Sequence, residues 1–300
     1  MRYPELAGGV RTALGVGLLL LVLSGTGCSR PPAVGAQLLV VASIAPLGDF
    51  AHQVGGKLVQ VTVILPPGIN PKTYEPTPEQ MRLISRARLL VLNGISLEFW
   101  ADKAIAAADN SKLIVVDTSS GLKVLAGGAG EPGGNPHVWL DPLDAIVQVE
   151  HIRDGLLRAD PGHASSYRAN AAAYIKRLRA LDQQIRTQVA GWSHREFVAL
   201  QPAWAYFARR YGLVEAGVIN SSPGREPTPA ELAQIIATTK KNKIKAIFAV
   251  VQFSPKAAEI IAAETGAQVV ELDPLGGVPG RQSYLELMRY NLAQMERALR

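Results

Sequence analysis

EPTPEQMRLISRARLLVLNG, residues 75–94, and EPTPAELAQIIATTKKNKIKAIFAVVQF, residues 226–253, open on the same four-residue word and continue in the same way. In each, a threonine (Thr77, Thr228) can accept a bond from a free backbone N–H at a helix start. Pro78 and Pro229 suit the first helical position, and Gln80 and Glu231 complete a capping box. Apolar residues at helical spacing follow, Met81, Leu83, Ile84 and Ala87 in the first and Leu232, Ile235 and Ile236 in the second. Each copy then runs into an unbroken apolar segment of strand length. Both stretches predict a capped helix, a short turn and a buried strand, an α/β unit used twice.

The flanking sequence repeats as well. LLVVASIAPLGDFAHQVGG and VQVTVILPPG predict strand, helix and strand ahead of the first unit; FVALQPAWAYFARRYGL and VEAGVIN do so ahead of the second. Each half closes with one more helix and strand, DKAIAAADNSKLIVVDT and SPKAAEIIAAETGAQVVELD. Strands separated by helices imply parallel sheets covered on both faces. Between the halves lie a Gly-rich loop, the segment NPHVWLDP (residues 135–142) and a long helical region with a break at Asp160-Pro161. After the break, Tyr167, Ala171, Tyr174, Leu178, Leu181, Ile185 and Val189 form a stripe of helical period.

The expected fold is therefore α/β: two doubly wound parallel-sheet lobes joined by one long helix, with a ligand cleft between the lobes. The expected divisions are 1–27 signal peptide, 28–37 tether, 38–141 N-terminal lobe, 142–190 connecting helical region and 191–300 C-terminal lobe. A helical connection lacks a short hinge and predicts little closure. Ligands bind such sheets beyond the carboxyl ends of the strands. That directs attention to the loops Pro66 to Glu75, Asn135 to Asp141, Gln201 to Tyr206 and Asp273 to Gly276.

The N-terminus is read as targeting rather than fold. Arg2 and Arg11 precede an uncharged run from Thr12 to Gly27, and the only cysteine, Cys28, stands directly after it. This is the pattern of a secretory signal with a lipid-attachment cysteine. The run is too short, and too rich in glycine, for a span of about 20 apolar residues. The chain is expected to be exported, periplasmic or cell-surface, anchored to the membrane through Cys28, and free of internal disulfides. Its net charge of +6 is scattered apart from Lys240, Lys241 and Lys243. That cluster reads as a solvated helix end, so no nucleic-acid partner is expected. With no G-x-S-x-G, no P-loop, no strand-to-helix G-x-G-x-x-G and no cysteine nucleophile, the chain is expected to be a monomeric binding protein and not an enzyme.

The words PPGINPKTYEPTPEQ, NPHVWLDP, AWAYFARRYGL, SSPGREPTP and ELDPLGG, together with the signal and the long helix, resemble the metal-binding receptors of zinc and manganese ABC importers. The resemblance extends from about Leu38 to Leu299. It implies one divalent cation, zinc or manganese, carried as cargo between the lobes, and an ABC permease as partner. It also implies four ligands: a histidine two residues before the YEP word, the histidine of NPHVWLDP, a histidine or glutamate before the aromatic word, and the aspartate of DPLG. The second and fourth are His137 and Asp273. The first and third positions hold Lys72 and Gln201. An ammonium group has donors only and repels a dication, and an amide oxygen is a poor zinc ligand.

Two readings of the altered site stay open. Lys72 fills the metal place and pairs with Asp273, or Lys72, Gln201, His137 and Tyr74 contact a small anion or a metal complex. A role as an adhesin or structural lipoprotein is the alternative to transport. Trp139 and Trp204 are expected to pack the lobe interface, and Arg225 is a cleft residue by position alone.

Overall fold

The computed structural model describes residues 37–128, 133–220 and 226–300. The signal, Cys28, most of the tether and Arg225 lie outside the described residues. The N-terminal lobe runs β1 (Leu38–Ala42), α1 (Ala45–Gly55), β2 (Val59–Val63), α2 (Pro78–Arg86), β3 (Leu89–Leu92), α3 (Ala101–Ala108) and β4 (Ile114–Asp117). Next come α4 (Pro142–Ala159) and α5 (Ala164–Ala190). The C-terminal lobe runs β5 (Glu196–Ala199), α6 (Ala205–Tyr211), β6 (Val214–Val218), α7 (Pro229–Lys241), β7 (Ala246–Val250), α8 (Lys256–Thr265) and β8 (Gln268–Leu272), and α9 (Tyr284–Leu299) ends the chain.

Both sheets are parallel and share one topology, β2-β1-β3-β4 and β6-β5-β7-β8. The central strands show why no alternation was legible in them: all four residues of β3 and all five of β7 are buried, since helices cover both faces. The repeated word does what its chemistry predicts. The Gln80 N–H donates to Thr77 Oγ1 and the Thr77 N–H to Gln80 Oε1; Glu231 and Thr228 make the same pair of bonds at α7. Gln80 goes further. Its amide accepts from Tyr74 Oη at 2.7 Å and donates to the Ile64 carbonyl at 2.7 Å, so the cap also ties down the loop that carries Lys72.

The connecting region breaks where Asp160-Pro161 predicts, with a short 3-10 turn between α4 and α5. At 1.5 Å per residue the 27 residues of α5 extend about 40 Å, and all seven residues of the predicted stripe are buried. That stripe belongs to one hydrophobic cluster that continues from Phe50 and Leu89 of the first lobe to Phe197, Phe248 and Leu292 of the second. The last helix contributes to the joint between the lobes. The Tyr284 N–H donates to Asp49 Oδ2 at 2.9 Å, and Tyr284 Oη donates to the Trp139 carbonyl at 2.7 Å. Among the described residues, no helix is long and apolar enough to cross a membrane.

Candidate ligand site between the lobes

The four loops singled out in the sequence converge. A cavity of about 30 Å³ is lined by Lys72 from the loop after β2, His137 from NPHVWLDP, Gln201 from the exit of β5, and Pro274 and Leu275 from the exit of β8. That volume suits one or two waters or a single ion. Trp139, Val250 and Phe253 supply apolar wall.

Lys72 and His137 each sit on an asparagine of their own loop. The Lys72 N–H donates to Asn70 Oδ1 at 3.0 Å, closing a tight turn that presents the side chain. Burial lowers the Lys72 ammonium to about 8. His137 is 8% exposed, and its backbone N–H and its Nδ1 both lie on Asn135 Oδ1, at 3.0 and 2.8 Å. Because Asn135 Nδ2 donates to the Pro202 carbonyl at 2.6 Å, Asn135 Oδ1 is the acceptor in both contacts. Nδ1 therefore carries the proton, and Nε2 keeps the lone pair that a ligand could use. Burial, and then the charge of Lys72, pushes His137 down to about 3, so the ring is neutral throughout the physiological range.

Asn135 is a junction between the lobes. Besides its bond to Pro202, next to Gln201, its carbonyl accepts from Tyr206 Oη at 2.7 Å. Trp139 spans the same seam by donating Nε1 to the Pro274 carbonyl at 2.7 Å, in keeping with its expected packing role.

Asp273 is 2% exposed and is not among the residues lining the cavity, to which its neighbours Pro274 and Leu275 contribute. Its Oδ1 accepts from the N–H groups of Leu275 and Gly276, each at 3.0 Å, and from Gln252 Nε2 at 3.3 Å. Its Oδ2 faces Arg281 Nη1 at 3.3 Å. One of the two readings of the site paired Asp273 with Lys72; the cation seen on Asp273 is a guanidinium from its own lobe. Tyr74, the other contact considered, turns its hydroxyl to Gln80. Among the described residues no group of three or more His, Cys, Asp and Glu could hold a metal ion.

Asn135, Gln252 and Arg281 are the residues that sequence reasoning missed. Gln252 follows β7, one of the two central strands, where the order reverses and ligands are expected. Its Oε1 is buried with no hydrogen-bond partner among the described residues. Asn135 was visible as the first letter of NPHVWLDP, since asparagine two residues before a backbone N–H is a turn former. No local signal marks Arg281.

The chain is 30% identical over 286 residues to the zinc-binding lipoprotein AdcA of Streptococcus pneumoniae serotype 4, an alignment covering 90% of this chain and 57% of that protein. It thus spans little more than half the length of that relative. It is 28% identical over 282 residues to the high-affinity zinc uptake system protein ZnuA of Bacillus subtilis, covering 88% of each. Among solved structures, a zinc-bound ZnuA with residues 138–173 of its own numbering deleted superposes with a TM-score of 0.79 at 34% identity, over 88% of this chain and 98% of that one. Residues 40–298 match the zinc-uptake complex component A periplasmic (ZnuA) family, and the chain belongs to that family.

Proposed function

We propose that the protein is an exported solute-binding receptor of an ABC importer of the zinc and manganese type. It would be a monomer tethered through Cys28, capturing cargo between its lobes and presenting it to a permease. The observation that carries this reading is the small cavity at which the four loops singled out in the sequence meet from both lobes, in a chain that matches the family along almost its whole length.

The cargo chemistry is more particular. A bare dication entering the cavity meets one ready ligand, His137 Nε2; Lys72 repels it, Gln201 and Gln252 offer amide oxygens, and Asp273 is already engaged. The receptor therefore holds bare zinc or manganese much less tightly than a four-ligand cage of imidazole and carboxylate would. Isothermal titration of the metal-stripped mature protein with zinc and then manganese, beside the metal content of the untreated protein, tests this. The expected result is no tight one-to-one binding. Tight binding that is lost in His137→Ala would overturn the weak-capture reading and show that a reduced site suffices.

A further inference from the structure

Asp273 stands at the position that the resemblance assigns to a metal ligand, and its carboxylate is already engaged. Its Oδ1 accepts from three donors, two backbone N–H groups and the Gln252 amide, and its Oδ2 faces the Arg281 guanidinium, all from the C-terminal lobe. Arg281 reaches back because DPLGGVPGR closes into a loop. Gly276, Gly277 and Gly280 lie at φ +68°, +80° and +79°, a region that side chains disfavour, and the Gly277 N–H donates to the Arg281 carbonyl at 2.9 Å. A Cβ on Gly276 would stand 2.6 Å from that carbonyl, so only glycine permits the closure.

The guanidinium is fixed on its other side by the Tyr290 ring, with Cζ 4.4 Å from the centroid. Its Nη1 is buried and makes no aligned hydrogen bond among the described residues. Asp273 meets it as a counter-charge rather than through a well-directed bond.

We propose that Arg281 is a specificity-determining residue of the cleft: by neutralising Asp273 it removes the C-terminal lobe's carboxylate from dication binding, while Lys72 takes the place of one of the two ligands expected from the N-terminal lobe. This rests on the receptor reading above and deepens it. Lys72 lines the cavity and Arg281 acts through Asp273, so a dication that uses this carboxylate has to displace the guanidinium from it. A carboxylate that already accepts three N–H bonds and faces a guanidinium has little left to give a metal.

The test is zinc titration, with a competing chelator, of the metal-stripped full mature chain as wild type, Lys72→His, Arg281→Gln and the double variant. Lys72→His alone gains at most a few-fold. The double variant binds about 100-fold more tightly than Lys72→His, the size of effect expected when groups around a metal ligand are changed. Arg281→Lys in the Lys72→His background keeps the charge and gains nothing, and adding Asp273→Asn to the double variant abolishes the gain. Arg281→Met, which keeps an alkyl stem over Tyr290, guards against a folding defect in Arg281→Gln; thermal unfolding of each variant shows that it is folded.

The proposal is overturned if Lys72→His alone binds as tightly as the double variant, or if folded double variants show no gain. Tight binding by the wild type would instead sink the weak-capture reading itself, so the two failures are distinguishable.

Discussion

The two lobes have the same strand order and hence the same crevice beyond their two central strands, yet they use it in opposite ways. In the C-terminal lobe, Gln201 after β5 and Gln252 after β7 open onto the cavity. In the N-terminal lobe the equivalent crevice is plugged. Gly94, Ile95 and Ser96 stand at φ +85°, +53° and +56°, a left-handed run that turns Glu98 back beneath the strand ends. There its carboxylate accepts from the backbone N–H groups of Asn93 and Gly94, at 2.8 and 3.1 Å, and from Ser43 Oγ. Burial pushes the Glu98 carboxyl up, and the hydrogen bonds oppose that rise. The first lobe then delivers its cleft groups from other loops, those holding Lys72 and His137. A doubly wound sheet supplies the crevice, and a single side chain decides whether it is a binding site or packing.

Removing the plug should have the largest effect. Glu98→Ala leaves the backbone N–H groups of Asn93 and Gly94 and the Ser43 hydroxyl without their acceptor, an expected loss of about 4 kcal/mol. Denaturant unfolding measures it. A loss no greater than that of an ordinary surface change would mean the crevice is not held shut by Glu98.

Acid should then separate the lobes by sign. His137 is held down at about 3 against its ordinary 6.5, so between these values the unfolded chain binds a proton that the native chain refuses. Stability of the metal-free protein from this group is full above pH 6.5 and falls as pH drops toward 3, by about 1.4 kcal/mol per pH unit. On β6, burial raises Glu215 to about 7 from 4.5. Between those values the native state keeps a proton that the unfolded state releases, so this group's contribution is full below pH 4.5 and is lost as pH rises through 7. His137→Gln should flatten the acid limb, and Glu215→Gln should stabilise the protein above pH 7 and do little below 4.5. Unfolding midpoints across pH that move together in both variants would contradict the opposite signs.

The smallest effects test the repeat itself. Thr77→Ala and Thr228→Ala each remove one cap and should cost about 1 kcal/mol apiece. In addition, Thr77→Ala loosens the cap whose Gln80 anchors Tyr74, so it should speed hydrogen exchange in residues 70–76. Thr228→Ala has no such reach into the cavity, and equal exchange in both variants would erase the distinction.

Much of this was legible because it is local or periodic. The capping boxes of the repeated word, the strands and the stripe from Tyr167 to Val189 follow from spacing and from the chemistry of a few side chains. The family words gave Lys72, His137 and Gln201, and the cavity brings those three together. What stayed hidden depends on closure in three dimensions. Arg281 meets Asp273 only because three glycines fold a loop back. Asn135 looks like a turn residue until the Pro202 carbonyl, 67 positions away in sequence, arrives on its amide. Glu98 reads as a surface acid until its strained loop turns it inward.

The long helix and the shared core carry one further consequence. With α5 running about 40 Å as one piece, the hydrophobic cluster crossing from lobe to lobe, and Tyr284 of the last helix bonded to Asp49 of the first, the molecule is built as a caliper set at one gauge. That build predicts that a partner touching both lobe tips meets nearly the same span whether the cleft is empty or full. News of occupancy then has to be written in the finish of the jaws, in the set of Asn135 and the loops around it, rather than in how far they open.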